Sequence, residues 1–305
     1  NTSLLGAFLS EKICFNDFQK NLWWIQKMTM YNYHTHTFFC DGSAEPIKYT
    51  EEALRLGFKA LGYSGHAPVP FENSFAIPEE RLTEYTTEIR ALKKQFSNQI
   101  EIYLSLEIDF IPGITKRFSS FVDDCELDYT IGSVHLVKST DSDGLWFIDG
   151  SEQKTYDKGV NELFGGDIKR AVKAYFVQLN QMIEIEKPDI VGHFDKIKMH
   201  NAGRWFDVSD KWYTDLIKET ITLIAEKDLI VEVNTRGVYK GRCDSFFPGL
   251  SELKFLKDKR IKLITSSDAH KPEELILGLI AANEMVTSLG YKETKVSAIL
   301  NGFDC

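Results

Sequence analysis

Tyr31-Asn32-Tyr33-His34-Thr35-His36 reads as a short strand that runs into two histidines. Residues two apart on a strand point to the same face, so His34 and His36 are set to address one point in space. The pair alone says little, because half-buried histidines that merely hydrogen-bond are common. Repetition gives it weight. Other apolar runs close the same way in Ser64-Gly65-His66-Ala67-Pro68, Ile131-Gly132-Ser133-Val134-His135, Ile190-Val191-Gly192-His193-Phe194-Asp195 and Ser266-Ser267-Asp268-Ala269-His270. Of the seven histidines only His200, in Met199-His200-Asn201, follows no strand, and its expected role is local. Strand after strand ending in imidazole implies that the rings converge. Imidazole is the commonest side-chain metal ligand, and imidazoles mixed with carboxylates suit zinc, manganese or iron.

The carboxylates fit that reading. Glu107 lies in Leu104-Ser105-Leu106-Glu107-Ile108-Asp109-Phe110. A carboxylate inside such an apolar run is costly unless it is paired or bound to metal. Glu107 and Asp109 share a face, so either can be the inward residue. Asp268 and His270 repeat the two-residue spacing of the first motif. Asp41, just beyond that motif, is either a further ligand or the start of an Asx-turn with Gly42.

From Met30 onward strands alternate with helices. Strands are expected over 31–34, 60–63, 100–108, 127–134, 190–191, 229–233 and 261–265. Helices are expected over 46–56, 78–96, 167–186, 209–226 (with Ser209 as its cap), 250–256 and 272–289. That order is the mark of a parallel α/β fold. The candidate ligands fall at strand C-termini, the face where a (β/α) barrel gathers its catalytic residues. An open doubly wound sheet is the alternative, but it concentrates ligands at one switch point. The segment 138–166, rich in Asp, Ser and Gly, reads as a loop over the mouth. Within it, Trp146-Phe147-Ile148-Asp149-Gly150 either contacts a leaving group or, through Trp146 and Phe147, anchors the loop.

The chain has 305 residues, which a single barrel domain accommodates. Residues 30–305 are expected to form that barrel. Residues 1–29 read either as an added helix carrying Trp23 and Trp24 or as sequence upstream of the natural start, given Met28 and Met30. Apolar residues at 43% and charged residues at 27% are ordinary for a soluble domain. A formal charge of -9 with no basic face disfavours nucleic acid as a partner. It does not disfavour a small anionic substrate, because bound divalent ions reverse the local field. Five widely spaced cysteines without a Cys-x-x-Cys argue against a disulfide framework and a thiolate zinc site, and they fit a cytoplasmic setting. Cys40 is expected to be a packing residue. No apolar run approaches a membrane span.

Taken together, His34-Thr35-His36, Asp41-Gly42, Gly65-His66, Glu107, Gly132-Ser133-Val134-His135, Gly192-His193-Phe194-Asp195 and Ser267-Asp268-Ala269-His270 resemble the PHP family, the polymerase and histidinol phosphatase superfamily, in its motif order. The phrases around His135 and His193 are most similar to its histidinol-phosphatase branch. The resemblance implies a distorted (β/α)7 TIM-like barrel and up to three divalent metal ions (zinc, manganese or iron). On it, His34, His36, Glu107 and Asp268 would hold one ion. Glu107 would bridge to a second, completed by His135 and His193. Asp41, His66 and His270 would hold the third. Glu107, Asp268 and His270 are the residues it implies for catalysis. One position departs: many histidinol phosphatases carry a histidine where this chain has Gly42, whereas other PHP phosphoesterases have Asp-Gly.

The expected reaction is metal-dependent hydrolysis of a small phosphomonoester, with histidinol phosphate favoured. No Ser or Cys nucleophile motif is present or needed. Cations should hold the phosphate. Arg236, directly after the strand ending at Asn234, is the first candidate, followed by Lys138, Lys196 and Lys198. Two other readings are a phosphoesterase acting on nucleotides or nucleic-acid ends and a non-catalytic metal-stabilised barrel. The acidic charge opposes the former, and the complete ligand set opposes the latter.

Overall fold

Apolar β-rich segments short enough to be strands recur along the chain, and each is followed by a segment with helical periodicity. In the computed structural model, which describes residues 30–292 and Val296, they fold as that pattern dictates. The strands are β1 (Met30–Asn32), β2 (Phe58–His66), β3 (Glu101–Asp109), β4 (Tyr129–Ser133), β5 (Leu136–Lys138), β6 (Leu145–Phe147), β7 (Ile190–Val191), β8 (Ile230–Asn234) and β9 (Leu263–Ser266). Seven of them pair in parallel in the order β1-β2-β3-β4-β7-β8-β9. The sheet then curls back on itself. Just past β1, Thr35 forms a parallel bridge with Ala269, just past β9. His36 N–H donates to the Ala269 carbonyl at 2.8 Å, and Ala269 N–H donates to the His34 carbonyl at 3.3 Å. The result is a nearly closed seven-stranded barrel, and the open doubly wound sheet is excluded. The expectation for residues 1–29 lies outside the described residues, as do Cys14 and Cys305.

Among the described residues the helices are α1 (Pro46–Leu56), α2 (Leu82–Gln95), α3 (Phe118–Cys125), α4 (Gln153–Phe164), α5 (Ile168–Ile185), α6 (Lys211–Glu226), α7 (Arg236–Tyr239), α8 (Leu250–Asp258) and α9 (Leu279–Ser288). Pro46 opens α1 in its first turn, and Gly57 closes it with φ 82, a conformation that costs glycine nothing. Asp167 caps α5, its side chain accepting from Arg170 N–H. None of the helices among the described residues is long and apolar enough to cross a membrane.

Four expectations are corrected. The segment 138–166 is not an irregular loop. It holds the β5–β6 hairpin and α4, because Trp146 is fully buried against Tyr156 and Phe164 and lies over Gly159. The last long helix is split into a 3-10 turn at Pro272–Glu274 and α9, since Gly278 adopts φ 78 at a point where a Cβ would meet Thr235 at 2.7 Å. Ser209 does not cap α6; its hydroxyl donates to Asp207, and the helix begins at Lys211. The helix expected from residue 78 opens with a 3-10 turn, Glu79–Arg81, before α2.

Two cores result. One lies between the sheet and the surrounding helices. The other fills the lower barrel interior with alternating inward residues, among them Tyr31, Tyr33, Ala60, Tyr103, Tyr129, Ile131, Ile190, Ile230 and Ile264, together with Val296. The Tyr129 hydroxyl crosses the barrel to donate to the Tyr33 carbonyl. It can do so because residue 62 is glycine: a Cβ there would lie 1.9 Å from the Tyr129 hydroxyl. Gly62→Ala is therefore expected to destabilise the protein by about 1–3 kcal/mol, the usual cost of overpacking a core. Adding Tyr129→Phe should recover part of that loss. Urea unfolding of the single and double variants checks both, and a Gly62→Ala variant as stable as wild type would contradict this account of the floor.

Candidate metal centre

The same alternation that puts tyrosines on the floor puts polar side chains at the mouth. Along β3, Tyr103 faces the floor and Glu107, four residues on, faces the mouth side of the interior. Glu107 is almost completely buried, and imidazoles surround it. Its Oε2 stands 3.1 Å from His34 Nε2, 3.4 Å from His36 Nε2 and 3.2 Å from His66 Nδ1. Its Oε1 stands 2.8 Å from His193 Nε2 and 3.4 Å from His135 Nε2, and it accepts from the Ser133 hydroxyl at 2.6 Å. Asp268 Oδ1 lies 3.2 Å from His36 Nε2 and 3.4 Å from His270 Nδ1. Asp41 sits on the open side, 3.1 Å from His270 Nε2 and 3.6 Å from His36 Nδ1. All nine expected ligand residues thus gather at one end of the barrel.

The donor atoms form three overlapping groups with metal-binding spacing: His36, Asp41, His66 and His270; His34, His36 and Asp268; and His66, Glu107 and His135. A test of fit comes from hydrogen bonding. Buried polar atoms are almost always satisfied, yet His34 Nε2, His36 Nε2, His66 Nδ1, both ring nitrogens of His135 and Asp268 Oδ1 have no hydrogen-bond partner. Apart from His135 Nδ1, which lies toward Asp109, they gather around Glu107 and Asp268, and divalent cations are the partners that such a donor set fits. Two of the nine residues, His193 (φ 22) and Asp268 (φ 52), also hold left-handed backbone conformations that side-chain-bearing residues avoid, a form of strain that clusters at functional sites.

Electrostatics point the same way. Burial, together with the neighbouring His270, pulls the His36 pKa down to about 4, and burial pulls that of His66 to about 3. Burial and Lys196 lower that of His193. These rings are neutral near pH 7, the form that binds metal. Burial works against protonation of His34 as well, but Glu232, Glu107 and Asp268 hold its pKa well above the ordinary value. Burial likewise disfavours charge on Glu107 and Asp268, yet the facing imidazoles hold both well below the carboxylate range. Asp109 differs. Burial pushes its pKa well up, and its Oδ1 accepts from His135 N–H at 2.9 Å rather than facing the cluster centre. Of the two inward carboxylates on β3, Glu107 is the central one.

Above the cluster opens a cavity of about 200 Å³, whose lining includes Asp41, His66, Glu107, His135, Asp268 and His270. Arg236 and Lys196 line it too, with Phe75, Phe147, Met199 and Phe247 supplying apolar wall. Arg236 donates to the Asp268 carbonyl at 2.8 Å, and Glu274 approaches it at 3.4 Å. Two of the expected substrate cations are not at this cavity. Lys138 reaches the Pro112 carbonyl at 3.4 Å, because β5 carries it away from the mouth. Lys198 is buried against Asp195 at 2.6 Å and the Phe246 carbonyl at 3.2 Å. Of the three expected lysines, Lys196 is the one that lines the cavity, paired with Asp149 at 2.7 Å. His200 is local as expected, its ring donating to the Gly150 carbonyl at 2.7 Å. Cys40, part-buried, packs with its Sγ 3.5 Å from His36 Nδ1.

Glu232 was not singled out from the sequence, and Asp149 was named only within the stretch 146–150. Asp149 lines the cavity and stands 3.8 Å from His135 Nε2, with a pKa that burial raises but Lys196 brings down to about 2. Glu232 is fully buried and sits 2.6 Å from His34 Nδ1. Its signal was available: like Glu107, it is a carboxylate inside an apolar strand, Ile230-Val231-Glu232-Val233.

The model of the PHP domain matches residues 32–236, two thirds of the chain. The chain belongs to the PHP domain family. Among its relatives is the histidinol-phosphatase of Bacillus subtilis, 28% identical over 253 residues, which span 78% of this chain and 92% of that protein. The histidinol-phosphatase of Lactococcus lactis is 27% identical over 276 residues, 87% of this chain and 93% of that protein. In structure, the Lactococcus lactis histidinol phosphate phosphatase complexed with zinc, L-histidinol and phosphate matches with a TM-score of 0.64 at 21% identity, over 86% of this chain and 94% of that one. A structural-genomics target from Listeria monocytogenes matches at 0.72 and 21%, over 83% and 99%. At those identities the structures establish the shared PHP fold. Gly42 has a local reason in this chain: a Cβ there would lie 2.5 Å from the backbone of His36 and Thr37, so the loop as folded excludes any side chain.

Replacing Glu107 by alanine should empty the centre of metal and abolish turnover. Asp109→Ala should fall short of that, within the roughly 10–100-fold loss typical when a residue behind a ligand is removed. Metal analysis and steady-state rates on both variants check this, and equal effects would reject the central role of Glu107.

Proposed function

We propose that this chain is a metal-dependent phosphomonoesterase and that its substrate is L-histidinol phosphate. The observation that carries the reading is the convergence of six histidines, Asp41, Glu107 and Asp268 at one small cavity, with buried ring nitrogens of His34, His36, His66 and His135 and one oxygen of Asp268 left without hydrogen-bond partners. The relatives named histidinol-phosphatase support the choice of substrate. In this reading up to three divalent ions bind. His34, His36, Glu107 and Asp268 hold one, Glu107 with His135 and His193 a second, and Asp41, His66 and His270 a third. Zinc is favoured over manganese or iron by its presence in the Lactococcus lactis structure.

Phosphomonoester hydrolysis is among the slowest uncatalysed reactions, and accelerations reach ~10²¹. Ions clustered here would supply an activated water and neutralise phosphoryl oxygens during displacement. The chain's own residues bind and orient. Arg236 presents a planar fork that matches two phosphate oxygens, a geometry no lysine offers. Lys196 adds a second positive charge across the cavity. Phe75, Phe147 and Phe247 form an apolar wall suited to a small aromatic leaving group such as an imidazolyl alcohol, and Asp149 gives that wall a negative side. Glu107, at the centre and shielded from bulk water, keeps its charge against the cost of burial through the facing imidazoles, His34 first among them.

A phosphatase panel on zinc-loaded protein tests the proposal, with histidinol phosphate, sugar phosphates, nucleotides and single-stranded DNA compared at one salt concentration. Histidinol phosphate should give the highest kcat/KM; a nucleotide or DNA end in first place would overturn the assignment. Arg236→Ala should lower kcat/KM by roughly 10- to 150-fold, the loss of about 1.5–3 kcal/mol expected for a charge-assisted hydrogen bond. It should retain bound metal. Lys138→Ala should leave the kinetics unchanged, because Lys138 does not reach the cavity. Metal loss in the Arg236 variant would make that residue structural.

A further inference from the structure

Glu232 takes no part in the ligand set proposed above, yet it is fully buried beside that set. A buried carboxylate needs compensation, and among the described residues no lysine or arginine forms an ion pair with it. Its partners all belong to neighbouring strand ends. Oε1 faces His34 Nδ1 at 2.6 Å and accepts from the Ser266 hydroxyl. Oε2 accepts from the backbone N–H of His193 at 3.0 Å and from the Asn234 side-chain amide at 3.2 Å. The same amide donates to Asp268 Oδ2 at 3.1 Å.

Two consequences follow from this geometry. With Nδ1 of His34 engaged by Glu232, Nε2 is the nitrogen left to face the cluster, where it lies 3.1 Å from Glu107 Oε2 and lacks a hydrogen bond. His193, whose φ of 22 is disfavoured, has its backbone N–H tied to the same carboxylate while its Nε2 points at Glu107 Oε1. Metal-bound histidines commonly donate their second ring N–H to a carboxylate, which sets tautomer and ring orientation.

We propose that Glu232 is a positioning residue of the metal centre: one buried carboxylate that holds His34 as the Nδ1–H tautomer with Nε2 toward the ion and, through the backbone of His193, aims a ligand of the adjacent ion. The proposal rests on the metal-dependent reading above. Its rival is that Glu232 merely braces β7, β8 and β9 against one another.

The test uses the full chain and zinc as the probe. Wild type and Glu232→Gln are titrated in competition with a chromogenic chelator, and turnover is followed as zinc is added in excess. Glu232→Gln is expected to bind zinc about 10–100-fold more weakly and to regain turnover as zinc rises, a rescue that a bracing role would not produce. Unchanged zinc affinity would overturn the proposal. Wild-type protein that takes up no zinc would instead overturn the functional reading itself. Should Glu232→Gln not fold, nitrogen-15 histidine spectra of zinc-loaded wild type decide the matter, the His34 signals being identified by their loss in His34→Gln. A proton on Nδ1 of His34 is expected, and a proton on Nε2 would overturn the proposal.

Discussion

Glu107 and the five imidazoles around it constrain everything above the barrel floor. A carboxylate at 1% exposure is stable as an anion only if its surroundings replace the water it has lost. Here the surrounding rings come from four different strand ends: His34 and His36 after β1, His66 at the end of β2, His135 after β4 and His193 after β7. Satisfying one side chain on β3 therefore requires the strand ends to arrive together. The bridge between Thr35 and Ala269 is the other half of that requirement. It joins the first strand to the last at the level of the cluster, and it brings Asp268 and His270 to His36.

The floor makes that convergence possible. Tyr31, Tyr33, Tyr103 and Tyr129 occupy the interior below the cluster in edge-to-face and stacked contacts. Large rigid rings fill a narrow seven-stranded interior with little conformational entropy to lose. They leave the upper interior to residues whose polarity would be too costly in an unsupported cavity. Gly62 and Tyr129 show how tight the arrangement is, since the phenol occupies the volume that a side chain at 62 would need.

Strain and support are paired at the mouth. His193 and Asp268 hold left-handed backbones, and each is tied to a buried polar neighbour: His193 N–H to Glu232, and the Asp268 carboxylate to the Asn234 amide. Outside the cluster, Glu274 accepts from His270 N–H and pairs with Arg236 and Lys240, which links a candidate ligand to a cation that lines the cavity. Arg236 is thus held by the same frame as the candidate ligands, whereas Phe147 and Asp149 reach the cavity from the segment that holds β6.

The amino-acid sequence by itself determined the strand–helix alternation, the barrel class and all nine convergent residues. Those rest on local periodicity, on histidines and carboxylates in or at the end of apolar runs, and on the motif order shared with the PHP family, and such signals need no knowledge of distant contacts. Periodicity alone left Glu107 and Asp109 open, because both share a face of β3; the motif order selected Glu107, and the tertiary structure supplied the physical reason, which is where the other strands end. Only the tertiary structure decided that 138–166 is ordered, since the burial of Trp146 depends on Gly159 and Phe164 arriving from the helix beyond it. It placed Lys196 at the cavity and Lys198 away from it, a matter of two residues in a 3-10 turn that no helical or strand period describes. Glu232 lay between these cases. Its burial was legible in Ile230-Val231-Glu232-Val233, but its partners, His34 and the backbone of His193, lie 198 and 39 residues away and are chosen by barrel closure.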